Sequence, residues 1–464
     1  MHDMRNKPRR MTEGFLVGGG LLFKGLMLQV TTGPVDWSQL AAPVNYIVMG
    51  SLLAIIVAMF LLRRKVRAFE WMMHIQAAFP CLCFAAALTI VMGFTAQTRE
   101  AGVPWLSQMI RFWPFVLIYG WMALIAGMAA LNHLVRFKAR EIPFVLNHLG
   151  VFLTITCATL GNPDLQRQQL TVFLEEPAVR MQEPGPAVEL RRFTADFYEN
   201  GMPKRFASDV KVHTPDGKCV EGTVEVNRPL KAGGWRIYQY GYDVQRGSDS
   251  AYSVLLLVRD PWLPAVYLGF FLMLAGALCL LLLKYRPLRK WILLAAVVLT
   301  ALFTCLTLAR MGHTVQSRPP ALQSGWFVPH LIVYMVAYAL LGAAALWALY
   351  LLLFRRRSVT TEMEIADNLV YAGVAFLTIG MLFGALWAKQ AWGHYWSWDP
   401  KETWAAVTWL SYLVYLHYRT AKPDKWRTAC RMLVFAFICL QFCWWGINYL
   451  PSATGRSIHT YNLR

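Results

Sequence analysis

WAKQAWGHYWSWDPKETWAAVTWLSYLVYLH, residues 387–417, sets a run of tryptophans around one acid-rich turn between two apolar segments. Trp387 stands just before the turn, Trp392, Trp396 and Trp398 crowd against Asp399 and Pro400, and Trp404 and Trp409 continue beyond it. That density of indoles exceeds what core filling asks. Indole is large, flat and amphipathic, so such a row at a membrane boundary serves either as a belt against lipid or as a platform for a flat apolar ligand. Asp399 and Glu402 lie where acids suit the positive end of a helix dipole, which predicts that they cap a helix opening at Pro400 to Thr403.

The apolar segments flanking the turn recur through the chain. Of 464 residues, 57% are hydrophobic and only 15% charged, and the mean hydropathy is +0.39. This composition is too apolar for a soluble domain of such length. Apolar runs fall at about 15–32, 43–62, 71–95, 113–135, 142–160, 263–283, 291–309, 329–354, 366–387, 404–419 and 431–449. All approach or exceed the ~20 residues a bilayer requires, except the shorter run after Trp404. The expected fold is therefore an all-α polytopic membrane protein of about 11 transmembrane helices, with one small β-rich domain outside the bilayer.

A formal charge of +19 would suit nucleic acid, but its distribution argues against that partner. Basic clusters at 5–10, 63–67, 136–140, 284–290, 355–357 and 419–427 occupy every second connection. This is the positive-inside pattern of a multi-pass protein in a lipid bilayer. An inside N-terminus then puts the 161–262 stretch, the 310–329 loop, the tryptophan turn and the C-terminus outside. The first run lacks a small-residue cleavage site, so it is expected to stay as an anchor. Of nine cysteines only Cys219 lies in the outer stretch, which leaves no internal disulfide framework to propose. There is no CxxCH for covalent haem and no GKS/GKT phosphate loop.

Residues 161–262 change character. LTVFLEE, ASDVKVHTP, CVEGTVEVN, WRIYQYGYD and AYSVLLLVRDP alternate or run in β-branched and aromatic residues between turn signals, which predicts a sheet. His213 reads there as a solvated loop residue. The membrane-run histidines are different, because an ionisable group in a bilayer is a functional candidate. His74, His133, His148 and His417 all fall near the inner ends of their runs, whereas His330 opens its run at the outer face and His459 lies in the outer tail.

WGHYWSWDPKETW resembles the tryptophan-rich WWD signature of haem-handling proteins in cytochrome c maturation, and PKETWA with the following TW and LH resembles the CcsA branch rather than CcmC or CcmF. VNRPLKAGGWRIYQYGYD with LLLVRDPW resembles the outer domain of ResB, also called CcsB, the usual partner of CcsA; Asn227, Pro229, Leu230, Tyr238, Gln239 and Asp260 fall at matching positions. NHLG around His148 resembles the last ResB helix before that domain. The resemblance implies three regions: a ResB-like membrane part at 1–160, the β-rich domain at 161–262, and a CcsA-like part at 263–464 with its WWD segment at 387–409.

What that family does is then the expectation for this chain. It is an ATP-independent holocytochrome c synthase in a cytoplasmic membrane, carrying haem b outward and attaching it to CxxCH apocytochromes c, with a thiol-reducing partner protein. The resemblance pairs His330 with His459 as axial ligands outside, where the platform would consist of Trp387, Trp392, Trp396, Trp398, Asp399 and Trp404. Inside, His148 and His417 form the second ligand pair, with His74 in reserve. Two neutral imidazoles saturate haem iron and leave no position for oxygen. Lys389, Lys401 and Arg456 are candidate partners for the haem propionates. Two readings compete with synthesis: a haem exporter or chaperone without attachment, and a bis-histidine electron-transfer cytochrome.

Overall fold

The computed structural model describes residues 11–97, 105–181, 185–283, 318–355 and 360–450, together with 294, 298, 302 and 306. The N-terminal part folds as α1 (Met11–Thr32), α2 (Val44–Leu62), the short α3 (Arg67–Trp71), α4 (Ile75–Phe94), α5 (Trp113–Val135) and α6 (Ile142–Gly161). The C-terminal part supplies α7 (Leu263–Leu283), α8 (Phe327–Phe354), α9 (Thr360–Trp392), α10 (Pro400–Ala421) and α11 (Trp426–Trp444). Prolines mark several starts, since Pro114, Pro143 and Pro400 occupy first-turn positions where no amide hydrogen is required.

Nine of the described helices are long and apolar enough to cross a membrane. Run 404–419 becomes α10, which is long enough but too polar to stand among the nine. Several of its polar groups find partners inside the protein: Thr408 donates to the Trp404 carbonyl at 2.8 Å, Ser411 to that of Val407 at 2.8 Å, and the Tyr415 hydroxyl to Asp367 at 2.7 Å. Run 291–309 lies outside the described residues apart from Leu294, Val298, Leu302 and Leu306, which are helical and exposed.

Lipid offers no hydrophobic force between helices, so close packing of small residues has to hold them. Ala337, Leu341, Ala344, Ala348 and Leu351 of α8 are fully buried against Ala366 and Val370 of α9 and Ala429, Leu433 and Ala436 of α11. A second cluster joins α4 and α5 to α10 through Ala85, Ile118, Trp121 and Leu410. Helices from both ends of the chain therefore share one core. By contrast α1 and α2 stand at the rim, with Leu16, Phe23 and Ile47 exposed.

Between α6 and α7 the described residues form eight strands: β1 (Gln166–Phe173), β2 (Val179–Arg180), β3 (Ala187–Phe197), β4 (Pro203–His213), β5 (Cys219–Glu225), β6 (Leu230–Ala232), β7 (Trp235–Tyr242) and β8 (Tyr252–Arg259). They make two antiparallel sheets, ordered β1-β8-β7-β6 and β2-β3-β4-β5. Val172, Val188, Val210, Val212, Trp235, Ile237, Leu255 and Leu257 are buried between them. His213 closes β4 opposite Cys219 instead of lying in a loop, because the hairpin turn begins only at Thr214. At the foot of the sheets Asp164 accepts from the Asn45 amide of α2 and the Trp262 indole, both at 2.8 Å. The sandwich is thereby seated at one end of the bundle, the end at which the tryptophan turn also emerges.

Candidate functional site

The turn begins where α9 ends. Trp387 and Trp392 face one another at 5.2 Å, and the Trp387 indole donates to the Ala321 carbonyl at 2.8 Å. His330, in the first turn of α8, lies 5.7 Å from Trp387 and 4.7 Å edge-on to Tyr334. Its Nδ1 meets the Gly380 carbonyl at 2.8 Å. An imidazole that donates from Nδ1 carries its lone pair on Nε2, which is the arrangement a metal ligand needs. The ring lies flat on α9 only because position 384 has no side chain: a Cβ there would come within 2.9 Å of the His330 ring.

Past Trp392 the chain reverses at Gly393, whose φ of +81° suits glycine. A Cβ at this position would meet Tyr238 at 3.1 Å and Leu256 at 3.2 Å, so the turn rests directly on the β7/β8 sheet. His394, which the sequence reading passed over, lies parallel to Trp392 at 6.4 Å. The buried Trp396 indole N–H has no acceptor among the described residues, and its ring meets Trp398 edge-on at 5.7 Å. Trp398 adopts φ +58°, a left-handed conformation uncommon for a bulky side chain. Its ring is held edge-on by Phe115 at 5.9 Å and Tyr119 at 6.4 Å, both on α5. Such strain, of order 1 kcal/mol or more, persists only where surrounding contacts over-determine it.

Asp399 and Glu402 form the expected cap. Asp399 Oδ1 accepts from the Glu402 amide at 2.8 Å, while Glu402 Oε2 accepts from the Ser397 amide at 2.7 Å and the Asp399 amide at 3.4 Å. This reciprocal box ties both carboxylates to the start of α10, as the spacing predicts. Trp404 differs from the expectation. It is 2% exposed, stacked on Phe442 at 5.0 Å and met edge-on by Phe94 at 5.1 Å, which leaves no face for a ligand.

Lys389 was expected to await a carboxylate ligand, yet it is buried inside the protein. Its ammonium donates to the Gly393 carbonyl at 3.0 Å and stands 3.9 Å from Asp260. Burial raises the Asp260 carboxyl above its usual range, against the opposing pull of Lys389. The Tyr238 phenol nearby is likewise pushed up by burial, to about 12. His459 and Arg456 lie outside the described residues, as does the rest of the tail from 451.

At the opposite end of the bundle, His148 and His417 repeat the His330 arrangement. His148 Nδ1 meets the Phe144 carbonyl at 2.9 Å, and His417 Nδ1 meets that of Leu413 at 2.8 Å. His133 is engaged by Glu141 at 2.8 Å. His74 sits at the N-cap of α4 and is exposed, not inside a helix as its run suggested. The α10 helix runs on to Ala421, so His417 stands four residues, ~6 Å, from its end, against six residues, ~9 Å, for His148 in α6.

Residues 262–453 match the family model described as Cytochrome C assembly protein, and residues 138–251 match the ResB-like family. The chain joins a ResB-like region to a CcsA-like region. Its CcsA-like part is 38% identical over 152 residues to the cytochrome c biogenesis protein CcsA of Chlamydomonas reinhardtii, which is 31% of this chain and 42% of that protein. For the CcsA of Heterosigma akashiwo the figures are 31% identity, 37% of this chain and 66% of the relative; for that of Guillardia theta they are 35%, 34% and 61%. The chain thus spans between 42% and 66% of the length of these relatives. Trp387, Trp392 and His330 lie in the CcsA-like part, whereas the residues that brace the turn, Tyr238, Asp260, Phe115 and Tyr119, come from the N-terminal side.

Proposed function

We propose that this chain works in cytochrome c biogenesis, carrying haem b across a membrane and attaching it to CxxCH apocytochromes c. The observation that carries the reading is the repeated imidazole geometry. His148, His417 and His330 each have Nδ1 on a backbone carbonyl, which puts the lone pair on Nε2, the atom that would ligate a metal, and they do so at two levels of the bundle. His148 and His417 would receive haem at the inner level, on the cytoplasmic side that the positive-inside pattern assigns. His330, with His459 as its partner, would hold it at the outer level against Trp387, Trp392 and Trp396, with Trp398 and Asp399 fixing the turn. Trp404 supports α10 from behind, and His74 remains the reserve inner ligand. The Trp396 N–H supplies a buried donor for a propionate.

The reaction itself needs no nucleophile from the chain. Each apocytochrome thiol adds across a haem vinyl, sulfur to one carbon and the thiol proton to the other, so nothing leaves and no ATP is consumed. A thiol-reducing partner would keep both cysteines free for this addition. Holding vinyl and thiol at near-attack distance replaces a bimolecular encounter with a unimolecular step, an effect that reaches ~10⁵ M or more in effective concentration. The histidine of CxxCH would then displace one of the outer ligands as the product leaves.

The test is expression with a CxxCH reporter in a host stripped of its own maturation proteins. Covalent haem on the reporter, which survives denaturing gel electrophoresis, is expected. Haem bound to the chain without any attached to the reporter would reduce the reading to delivery, and absence of both would reject it.

A further inference from the structure

Lys389 and Asp260 stand apart from the ligands, yet both are nearly dry, at 3% and 7% exposure. Residues on a helix turn by ~100° each, so Lys389 points away from the face that carries Gly380, Gly384 and Trp387. Instead of lining the histidine site it reaches the sandwich. Asp260 is anchored from its own side, because Oδ1 accepts from the Trp262 amide at 3.2 Å where the chain enters α7. The neighbouring contacts follow the same path: Gln390 donates to the Asn227 carbonyl at 2.8 Å, and Gly393 lies on Tyr238 and Leu256. A cavity of about 220 Å³ bounded by Arg236, Asp260, Tyr267 and Lys389 keeps this pair from being packed solidly.

We propose that Lys389 and Asp260 form an ionic latch through which the β sandwich sets the position of the tryptophan turn and, with it, of the haem site. The functional half of this statement rests on the reading above; the positional half rests on geometry alone. Apolar residues would fill such a place at little or no cost to stability, since burying two charges costs several kcal/mol that their attraction scarcely returns. What apolar residues cannot do is donate to the Gly393 carbonyl. Lys389 is thus a positioning residue, acting on the turn through that bond, and Asp260 holds its ammonium in place.

The full-length chain in detergent or nanodiscs would be followed by hydrogen–deuterium exchange of the amides at 392–398, together with haem content at each level. Asp260→Asn and Lys389→Met should each speed exchange in the turn at least about tenfold, as breaking a buried pair implies. Haem should be lost from the outer level and kept at the inner one. The double variant Lys389→Met/Asp260→Leu removes both charges; it should fold with normal protection in α8 and α11, yet keep the fast-exchanging turn. Unchanged exchange in the single variants would overturn the latch. So would a double variant that regains protection, which would make the pair mere charge balance, or one that fails to fold, which would make it a structural necessity. If the unaltered chain holds no haem but the exchange pattern appears, the haem reading falls and the latch stands.

Discussion

His330 shows how much one missing side chain does. The imidazole lies on α9 at the position a Cβ of residue 384 would claim, and the Gly380 carbonyl fixes its tautomer. His330→Ala should abolish most low-spin haem at the outer level, and added imidazole should restore part of it. Gly384→Val should empty the same level without altering a ligand, and imidazole should not restore it, because the new methyls fill the space; haem spectra with and without imidazole check both. At this scale the sequence was informative wherever partners are close in the chain. The Asp399 and Glu402 box follows from a spacing of three residues. The Gly380 carbonyl under His330 is fifty residues away, and no local pattern announces it. Lys389 is opaque in the sequence for the same reason: its nearness to the tryptophans is visible there, whereas Asp260 and the direction of its side chain are not.

Among the elements, α10 carries most of the site's precision, because it begins at the capped turn and ends beyond His417. Its far end is braced to α9 by Arg419, which meets Asp367 at 2.8 and 3.1 Å, with the Tyr415 hydroxyl on the same carboxylate. Asp367→Ala leaves the half-buried guanidinium without its anion, at a cost of about 3 kcal/mol or more. Haem at the inner level should fall while the outer level is still able to bind haem supplied from outside, and a thermal melt with haem content measured at both levels checks this. Apolar runs located the membrane helices well but cut α9 and α10 short. The apolar runs cover 366–387 and 404–419, whereas the helices span Thr360–Trp392 and Pro400–Ala421. Hydropathy stops at the first polar turn, but a helix continues for as long as its backbone and side chains find partners within the protein.

For the whole molecule, the helices before the sheet domain and those after it do not fold side by side as separate bodies. α10 packs on α4, the Trp404 indole donates to the Gly93 carbonyl at 3.3 Å, and Trp398 is caged by α5. The order of helices and the presence of a sheet domain were legible from periodicity, but this interleaving was not, since run lengths carry no information about which helices touch. Residues 263–464 expressed alone should therefore retain α8, α9 and α11 in the membrane while exposing α10 to protease, and adding residues 1–262 as a second chain should protect it. Protease mapping of membrane vesicles checks this. The polarity of α10 also bears on how the protein is made. A segment too polar to enter lipid by itself gains little from leaving the insertion machinery until a protein surface is ready to receive it. That surface includes α4, which is synthesised more than three hundred residues earlier. Placing residues 1–262 first in one polypeptide means that the receiving wall already stands in the bilayer when α10 emerges from the ribosome.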